Sequence, residues 1–250
     1  MINDDLIKIN RDKIKTSNEG KRTRSTFLTL ALIRNDISDL VYLQGLFVHD
    51  NNKIESKISS HSGRSMGRMI YIMRLALSHY YEFLQFLCKR KEEINGDLEF
   101  QAILKGLNKE DRAVWDNFNS LAHELELIDT IIKVKNTSIE YKVMALSRFM
   151  RGNLTFHYWG SAKFLYIGFE KAFFSDEENE GNKYPQVTEI EDVHKDRAYY
   201  IDLSIQRYLE TESGLKENIF EFEKHVINVI AEVNMILNRI LNAYHNKIKI

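Results

Sequence analysis

The stretch that decides the fold runs from Arg64 to Ile94 and reads RSMGRMIYIMRLALSHYYEFLQFLCKRKEEI. Its apolar side chains recur at intervals of three and four residues, which is the spacing of one face of an α-helix. Basic residues close the stretch, where cations suit the helix dipole, and Asn95-Gly96 follows as a stop signal. We therefore predict a long amphipathic helix with the apolar face Met66, Met69, Ile70, Met73, Leu77, Tyr80, Tyr81, Leu84 and Leu87.

The rest of the chain is also poor in residues that interrupt helices. Its 250 residues include one proline, Pro185, and 11 glycines. Both residue types disfavour helix interiors, so their scarcity predicts long uninterrupted helices. The composition predicts an all-α fold, an elongated helical bundle of about six to eight helices.

Six further long helices are predicted on either side of this stretch. The first of them carries an apolar stripe of Leu28, Leu32, Leu40, Leu43 and Phe47. Without internal repeats or a long flexible linker, residues 1–250 are expected to form a single domain. The predicted long helices span residues 25–49, 111–134, 137–151, 153–174, 196–209 and 215–246, with a short charged helix at 4–15, a shorter segment at 98–107 and an acidic surface loop at 175–195.

Composition also narrows the classes of function. A formal net charge of −1 gives no overall attraction to nucleic acid or membrane. A single cysteine, Cys88, excludes an intramolecular disulfide and fits a reducing compartment. The acidic N-terminus lacks the apolar core of a signal peptide, and we expect a cytoplasmic protein without a membrane span. A di-iron site in a helical bundle needs two Glu-x-x-His units, and the chain has one, Glu191 to His194. The sequence also has no phosphate-binding loop. We therefore expect no metal and no cofactor.

The stretch from Ala145 to Gly160 contains a different signal. Gly152-Asn153 interrupts it, and glycine is common just past a helix end while asparagine is a good first residue for the next helix. Arg151 and His157 flank this break. Two other Arg/His pairs of similar spacing, Arg74/His79 and Arg239/His245, lie on an unbroken helix or near a terminus. Only at the break do we expect both side chains to turn toward one point.

The segment Arg151-Gly152-Asn153-Leu154-Thr155-Phe156-His157-Tyr158 resembles the signature of the HEPN superfamily. That resemblance implies an all-α, metal-independent endoribonuclease of toxin–antitoxin, abortive-infection or other defence systems. It also implies a homodimer that joins two motifs in one site, with an antitoxin or regulatory protein as a further partner. The sequence departs from the usual motif at Gly152, where the family most often has a polar residue. Asn153, one position later, is the candidate for the role of that polar residue.

The chemistry of these residue types suits RNA cleavage. Histidine can move a proton near neutral pH, and a guanidinium can stabilise charge on phosphoryl oxygens. The predicted catalytic residues are therefore Arg151, His157 and Asn153, and the expected products carry a 2′,3′-cyclic phosphate. Predicted RNA contacts are Arg148, Arg68 and Arg74 to the phosphate backbone and Tyr158 stacking on a base.

Two alternatives stay open at this stage. His157 fits equally well as a core histidine, and Arg151 as a cation at a helix C-terminus. The chain would then be a catalytically inactive helical module that binds a protein or nucleic-acid partner, or a structural protein with no site. Similarly, the aromatic run from Phe156 to Phe174 fits a buried helix better than a base-stacking surface.

Overall fold

In a computed structural model of the chain, the residues described are 10, 18–53, 60–125, 138–152, 158–173, 204–209 and 219–249. They are nearly all helical, so the prediction of an all-α fold is confirmed. The part of the chain described contains nine helices: α1 (Asn18–Lys53), α2 (Ser60–Lys89), α3 (Lys91–Gly96), α4 (Leu98–Gly106), α5 (Lys109–Leu125), α6 (Ile139–Met150), α7 (Tyr158–Phe173), α8 (residues 204–209) and α9 (Ile219–Ile248).

Several helix boundaries differ from the predicted ones: α1 ends at Lys53, four positions after its predicted end, and α2 begins at Ser60, four positions before its predicted start. The stretch expected to form one helix to Ile94 is divided at Arg90, whose φ of −104° and ψ of 11° lie outside the α-helical region. The division makes α3 a separate helix, and Gly96 ends it at the predicted stop. The first long helix begins at Asn18, seven positions before the predicted start at Ser25. The predicted short helix at 4–15 and the acidic loop at 175–195 lie outside the described residues, except Asn10.

The helices group into two compact units. The first unit comprises Met1–Ser38, Glu82–Leu127 and Ile230–Ile250, and the second comprises Asp39–Tyr81 and Ile128–Val229. The single domain expected from the sequence stays a prediction.

Aromatic rings form the core of the first unit. Phe27 of α1 stacks on Tyr244 of α9 with ring centroids 3.8 Å apart, and its other neighbour is Phe100 of α4 at 5.2 Å. Phe100 in turn contacts Trp115 of α5 at 5.6 Å. Because all four side chains are buried, their apolar area is removed from water at the point where four helices meet.

Two hydrogen-bonded pairs connect α1 and α9 within the same unit. Arg34 Nε donates to Asn238 Oδ1 at 2.8 Å, and one turn further along α1 the hydroxyl of Ser38 donates to Asn234 Oδ1 at 3.3 Å. Residue numbers rise on one helix as they fall on the other, so the two helices run antiparallel. We call these contacts the α1–α9 polar pairs.

Polar side chains also fix the starts of α4 and α5. Asp97 is buried, and its carboxylate accepts from the Phe100 N–H at 3.0 Å and from the Thr23 hydroxyl at 2.6 Å. It thereby caps α4 and ties it to α1. Asn108 and Asp111 bond each other reciprocally at the start of α5, where Arg239 of α9 lies 3.7 Å from the Asp111 carboxylate.

The apolar stripe expected on the first helix is only partly in the core. Leu40 is buried, but Leu28 and Leu32 are 71% and 61% exposed, and Leu43 is exposed as well. The side chain of Phe47 lies outside those described. The buried face of α1 is instead formed by Thr23, Thr26, Phe27, Leu30, Ile37 and Leu40. This helix therefore has apolar residues on two faces, and only one of these faces is buried in the core.

Among the described residues, α9 is long and apolar enough over Phe222–Ile248 to cross a membrane by length and composition. Its apolar residues are concentrated on one face, where Val233, Ile236, Leu237 and Ile240 have no exposed surface. Polar and charged residues, including Glu232, Arg239 and Asn242, occupy the opposite face. This one-sided distribution is that of a helix packed against other helices of its own fold.

Candidate functional site

The candidate site begins at the C-terminal end of α6. Ser138 caps the start of that helix, with its hydroxyl accepting from the Tyr141 N–H at 3.3 Å. The helix ends at Met150, and Arg151 forms the C-terminal cap, its N–H donating to the carbonyls of Ser147 and Arg148. The prediction that a helix ends near Arg151 is therefore confirmed. Gly152 follows with its surface exposed and open space where a side chain would stand.

Arg151 and Arg148 lie close together at this end. They are three residues apart on consecutive turns, which places them on neighbouring positions of one helix face. Both side chains are half-buried. Two guanidinium groups at a helix C-terminus are favoured by the partial negative charge of the helix end.

The other predicted catalytic residues are not placed by the structure. Asn153 and His157 lie outside the described residues. Tyr158 is the first residue of α7, and its side chain also lies outside those described. The three predicted catalytic residues therefore span the connection between two described helices, with Arg151 at its beginning.

Three aromatic rings hold the ends of this connection. Phe149, two residues before Arg151, meets Phe164 of α7 edge-to-face at 5.2 Å and stacks on Tyr208 of α8 at 5.6 Å. Phe164 and Tyr208 contact each other at 5.2 Å. We call this trio the junction cluster. The junction cluster joins α6, α7 and α8.

Backbone contact between α7 and α8 supports the junction cluster. Gly168 is buried, and a Cβ built on it would overlap the backbone carbonyl of Ser204, with the Tyr208 Cβ at 3.1 Å. Only glycine allows α7 and α8 to approach so closely without a shift of one backbone. The side chains of Ser204 and Tyr208 are buried at this contact.

The two arginines predicted to guide RNA from α2 do not form one track. Arg68 and Arg74 are six residues apart on a continuous helix, which puts them about 120° apart around its axis. Both are half-buried, and Arg74 Nε is shielded from solvent. The Arg74 carbonyl accepts from the Ser78 hydroxyl at 2.8 Å. A common RNA-facing surface for these two side chains is therefore not favoured by the helix geometry.

Two titratable groups have a shifted pKa. Burial raises the pKa of the Glu223 carboxyl in α9. In the first unit, burial raises the pKa of the Tyr244 hydroxyl, and the nearby carboxylates of Glu99 and Asp97 raise it further while Arg24 opposes them. Neither group belongs to the predicted catalytic set.

The described residues contain an open hollow but no cluster of metal-ligating side chains. No three His, Cys, Asp or Glu side chains among these residues gather closely enough to hold a metal ion. An open hollow of about 560 Å³ lies along α1, and its described lining consists of Lys21, Arg24, Ser25, Leu28, Thr29 and Leu32.

Comparison of the chain with protein-family models, with curated proteins and with solved structures finds no match. The fold alone thus defines the class, an all-α helical protein. Sequence reasoning did not single out Tyr208, whose ring completes the junction cluster. Its contact with Phe149 joins positions 59 residues apart, and no local spacing signals such a pair.

Proposed function

We propose that this protein is a HEPN-like, metal-independent endoribonuclease that acts in the cytoplasm in defence or as a toxin-like effector. Arg151 would stabilise charge on the phosphoryl group, His157 would move protons, and Asn153 would position the phosphate or the ribose. The observation that carries the proposal is the position of Arg151. It caps a helix at the start of the connection that contains the other two residues.

Three features support this assignment. The connection from Arg151 to Tyr158 is short, and the junction cluster restrains both of its ends. Arg151 is half-buried, so its charge acts in a medium that weakens it less than bulk water does. Arg148, one turn earlier, adds a second cation for the phosphate backbone.

The proposed reaction uses the RNA itself as the nucleophile. His157 removes the proton from a ribose 2′-hydroxyl, which attacks the adjacent phosphorus, and the bond to the 5′-oxygen of the next nucleotide breaks. The leaving 5′-oxygen takes up the proton that His157 has accepted, and Arg151 stabilises the charge that develops on the phosphoryl oxygens. The products are a 2′,3′-cyclic phosphate and a 5′-hydroxyl.

The test is incubation of the purified protein with labelled RNA in EDTA. Wild type is expected to cleave, while Arg151→Ala and His157→Ala are each expected to lose at least about 100-fold in rate, since general acid–base catalysis contributes about 10²–10⁴-fold. A substrate with a 2′-deoxyribose at the cleaved position must resist, because the attacking hydroxyl is missing.

Matched controls exist on α5 of the first unit. Arg112 and His123 are exposed there, and Arg112→Ala and His123→Ala remove the same side-chain types in a different compact unit from that of Arg151. Both controls are expected to keep wild-type activity. Absence of cleavage by wild type, or cleavage indifferent to Arg151→Ala and His157→Ala, would overturn the proposal. RNA binding without cleavage by wild type would favour the inactive binding module, the alternative to which Gly152 points.

A further inference from the structure

One aromatic ring of α7 faces solvent, although the sequence favours a buried helix for this aromatic run. Phe164 packs in the junction cluster, and Phe169 is half-buried. Tyr166 lies between them in sequence and is 63% exposed. An exposed tyrosine presents a flat apolar ring with a polar hydroxyl at its end, which suits stacking against another planar group.

Two side chains of opposite charge flank Tyr166 on the same face of α7. Lys163 precedes it by three residues, Glu170 follows it by four, and both are exposed. Residues three or four apart on a helix are neighbours, so Tyr166 lies between an ammonium group and a carboxylate. The two charged residues are seven positions apart, which is about 10 Å along the helix axis. We call Lys163, Tyr166 and Glu170 the α7 row.

The α7 row belongs to the same compact unit as Arg151. Phe164 of α7 contacts Phe149, which precedes Arg151 by two residues. Tyr166 lies about 160° from Phe164 around the axis of α7, so its ring is on the side away from this contact. An RNA strand that reaches both Arg151 and the α7 row must therefore pass around α7. A helix is about 10 Å wide, which corresponds to about three stacked nucleotides at about 3.4 Å each.

The order of chemical groups in the α7 row matches one unpaired nucleotide. An ammonium group neutralises a phosphate, an aromatic ring stacks on a base, and a carboxylate accepts hydrogen bonds from the edge of that base. Guanine suits a carboxylate best, because its N1–H and its 2-amino group are adjacent donors that the two carboxylate oxygens can accept together. Uracil has a single N–H donor on the same edge.

We propose that the α7 row is a guanine-binding subsite for single-stranded RNA. Tyr166 stacks on the unpaired base, Glu170 accepts hydrogen bonds from its N1–H and 2-amino groups, and Lys163 contacts the adjacent phosphate. This inference rests on the proposed ribonuclease function and names its substrate class, single-stranded RNA with a guanine about three nucleotides from the cleaved linkage. A guanine paired in a duplex does not fit, because its Watson–Crick edge is already occupied.

The experiment measures binding of fluorescently labelled 2′-O-methyl RNA to the purified protein by fluorescence anisotropy. The 2′-O-methyl group blocks the attacking hydroxyl, so the probes stay intact. One probe is a uridine oligomer with a single central guanosine, and two others replace that guanosine by uridine or by inosine, which lacks the 2-amino group. Wild type is expected to bind the guanosine probe about tenfold more tightly than the uridine probe, the factor expected of a bidentate contact. The inosine probe is expected to lose most of this preference.

Substitutions in the α7 row separate the three roles. Glu170→Gln should remove the preference for guanosine without weakening the uridine probe, because an amide offers one acceptor oxygen in place of two. Tyr166→Ala should weaken both probes about tenfold through the lost stacking, while Tyr166→Phe retains binding. Lys163→Ala should weaken both probes alike and reduce the salt dependence of binding by the equivalent of about one phosphate contact.

Tyr42 provides the matched control for Tyr166. It is 66% exposed on α1 in the same compact unit, and Tyr42→Ala should bind every probe as wild type does. Equal binding of the guanosine and uridine probes by wild type, a preference that survives Glu170→Gln, or binding indifferent to Tyr166→Ala would each overturn the inference, as would the absence of binding to every probe. Circular dichroism of each variant verifies that these exposed substitutions leave the fold intact.

The subsite and the proposed activity can fail separately. Cleavage of RNA without a preference for guanine would contradict the subsite alone. Guanosine-selective binding without cleavage of unmodified RNA would contradict the proposed activity alone and would support the α7 row as a binding surface.

Discussion

Replacement of Gly168 by alanine tests the close approach of α7 and α8 that supports the junction cluster. The new Cβ would overlap the backbone carbonyl of Ser204. Because the obstacle is backbone, no side-chain rotation can relieve the overlap, and one helix must shift. Overpacking of this kind costs about 3 kcal/mol at the upper end of its usual range.

The same substitution also has a favourable part. Alanine is better than glycine inside a helix by about 1 kcal/mol. The net expectation for Gly168→Ala is therefore a free energy of unfolding lowered by about 2 kcal/mol.

Gly45 provides the matched control. It lies in α1, in the same compact unit as Gly168, and a Cβ added there meets nothing within 4 Å. Gly45→Ala should therefore keep only the helix gain and raise the free energy of unfolding by about 1 kcal/mol. The identical chemical change thus has opposite expected signs at two helical glycines.

The assay is urea denaturation followed by far-UV circular dichroism for wild type and both variants. The two variants are expected to differ from each other by about 3 kcal/mol, the sum of the two effects. A Gly168→Ala protein at least as stable as wild type would refute the reasoning, because it would mean that α7 and α8 can separate without cost.

Two further predictions concern the first unit. Asp97→Ala should lower the free energy of unfolding by about 2–4 kcal/mol, because α4 loses its cap and Thr23 loses its hydrogen bond to a carboxylate. A double-mutant cycle with Thr23→Val that yields no coupling energy would contradict this prediction. Because the pKa of the Tyr244 hydroxyl is raised in the folded protein, the unfolded chain loses this proton at a lower pH than the folded protein does. The free energy of unfolding should therefore fall as the pH rises above about 10, the ordinary pKa of tyrosine. Tyr244→Phe should reduce that loss in denaturation experiments between neutral and strongly alkaline pH, and an unchanged pH dependence would count against the assigned cause.

The all-α class was predictable because its signals are local. The scarcity of proline and glycine and the three-and-four spacing on α2 depend only on neighbours in sequence. The end of α6 was predictable for the same reason, since Gly152 follows Arg151 directly. Such local rules hold wherever packing does not compete with them.

The features that were not predicted depend on tertiary packing. On α1, apolar residues lie on two faces, and spacing alone cannot tell that Phe27, Leu30 and Ile37 are buried while Leu28 and Leu32 are exposed. The division between α2 and α3 at Arg90 was not predicted because no proline or glycine lies at that position.

The candidate site was predicted only as a sequence pattern. Its support in the described structure comes from the junction cluster, whose members are far apart along the chain. The RNA contacts predicted for Arg68 and Arg74 stay predictions, and residues six apart on a helix face different directions.

The α1–α9 polar pairs fix the register between these two helices. An apolar face that repeats every three or four residues, such as that of α9, would fit a neighbour almost equally well after sliding by one turn. Such a slide would separate Arg34 from Asn238 and Ser38 from Asn234 together, so both of these part-buried hydrogen bonds would be lost. Burial of apolar side chains thus drives the association of α1 and α9, while the polar pairs select one register among several of nearly equal apolar packing.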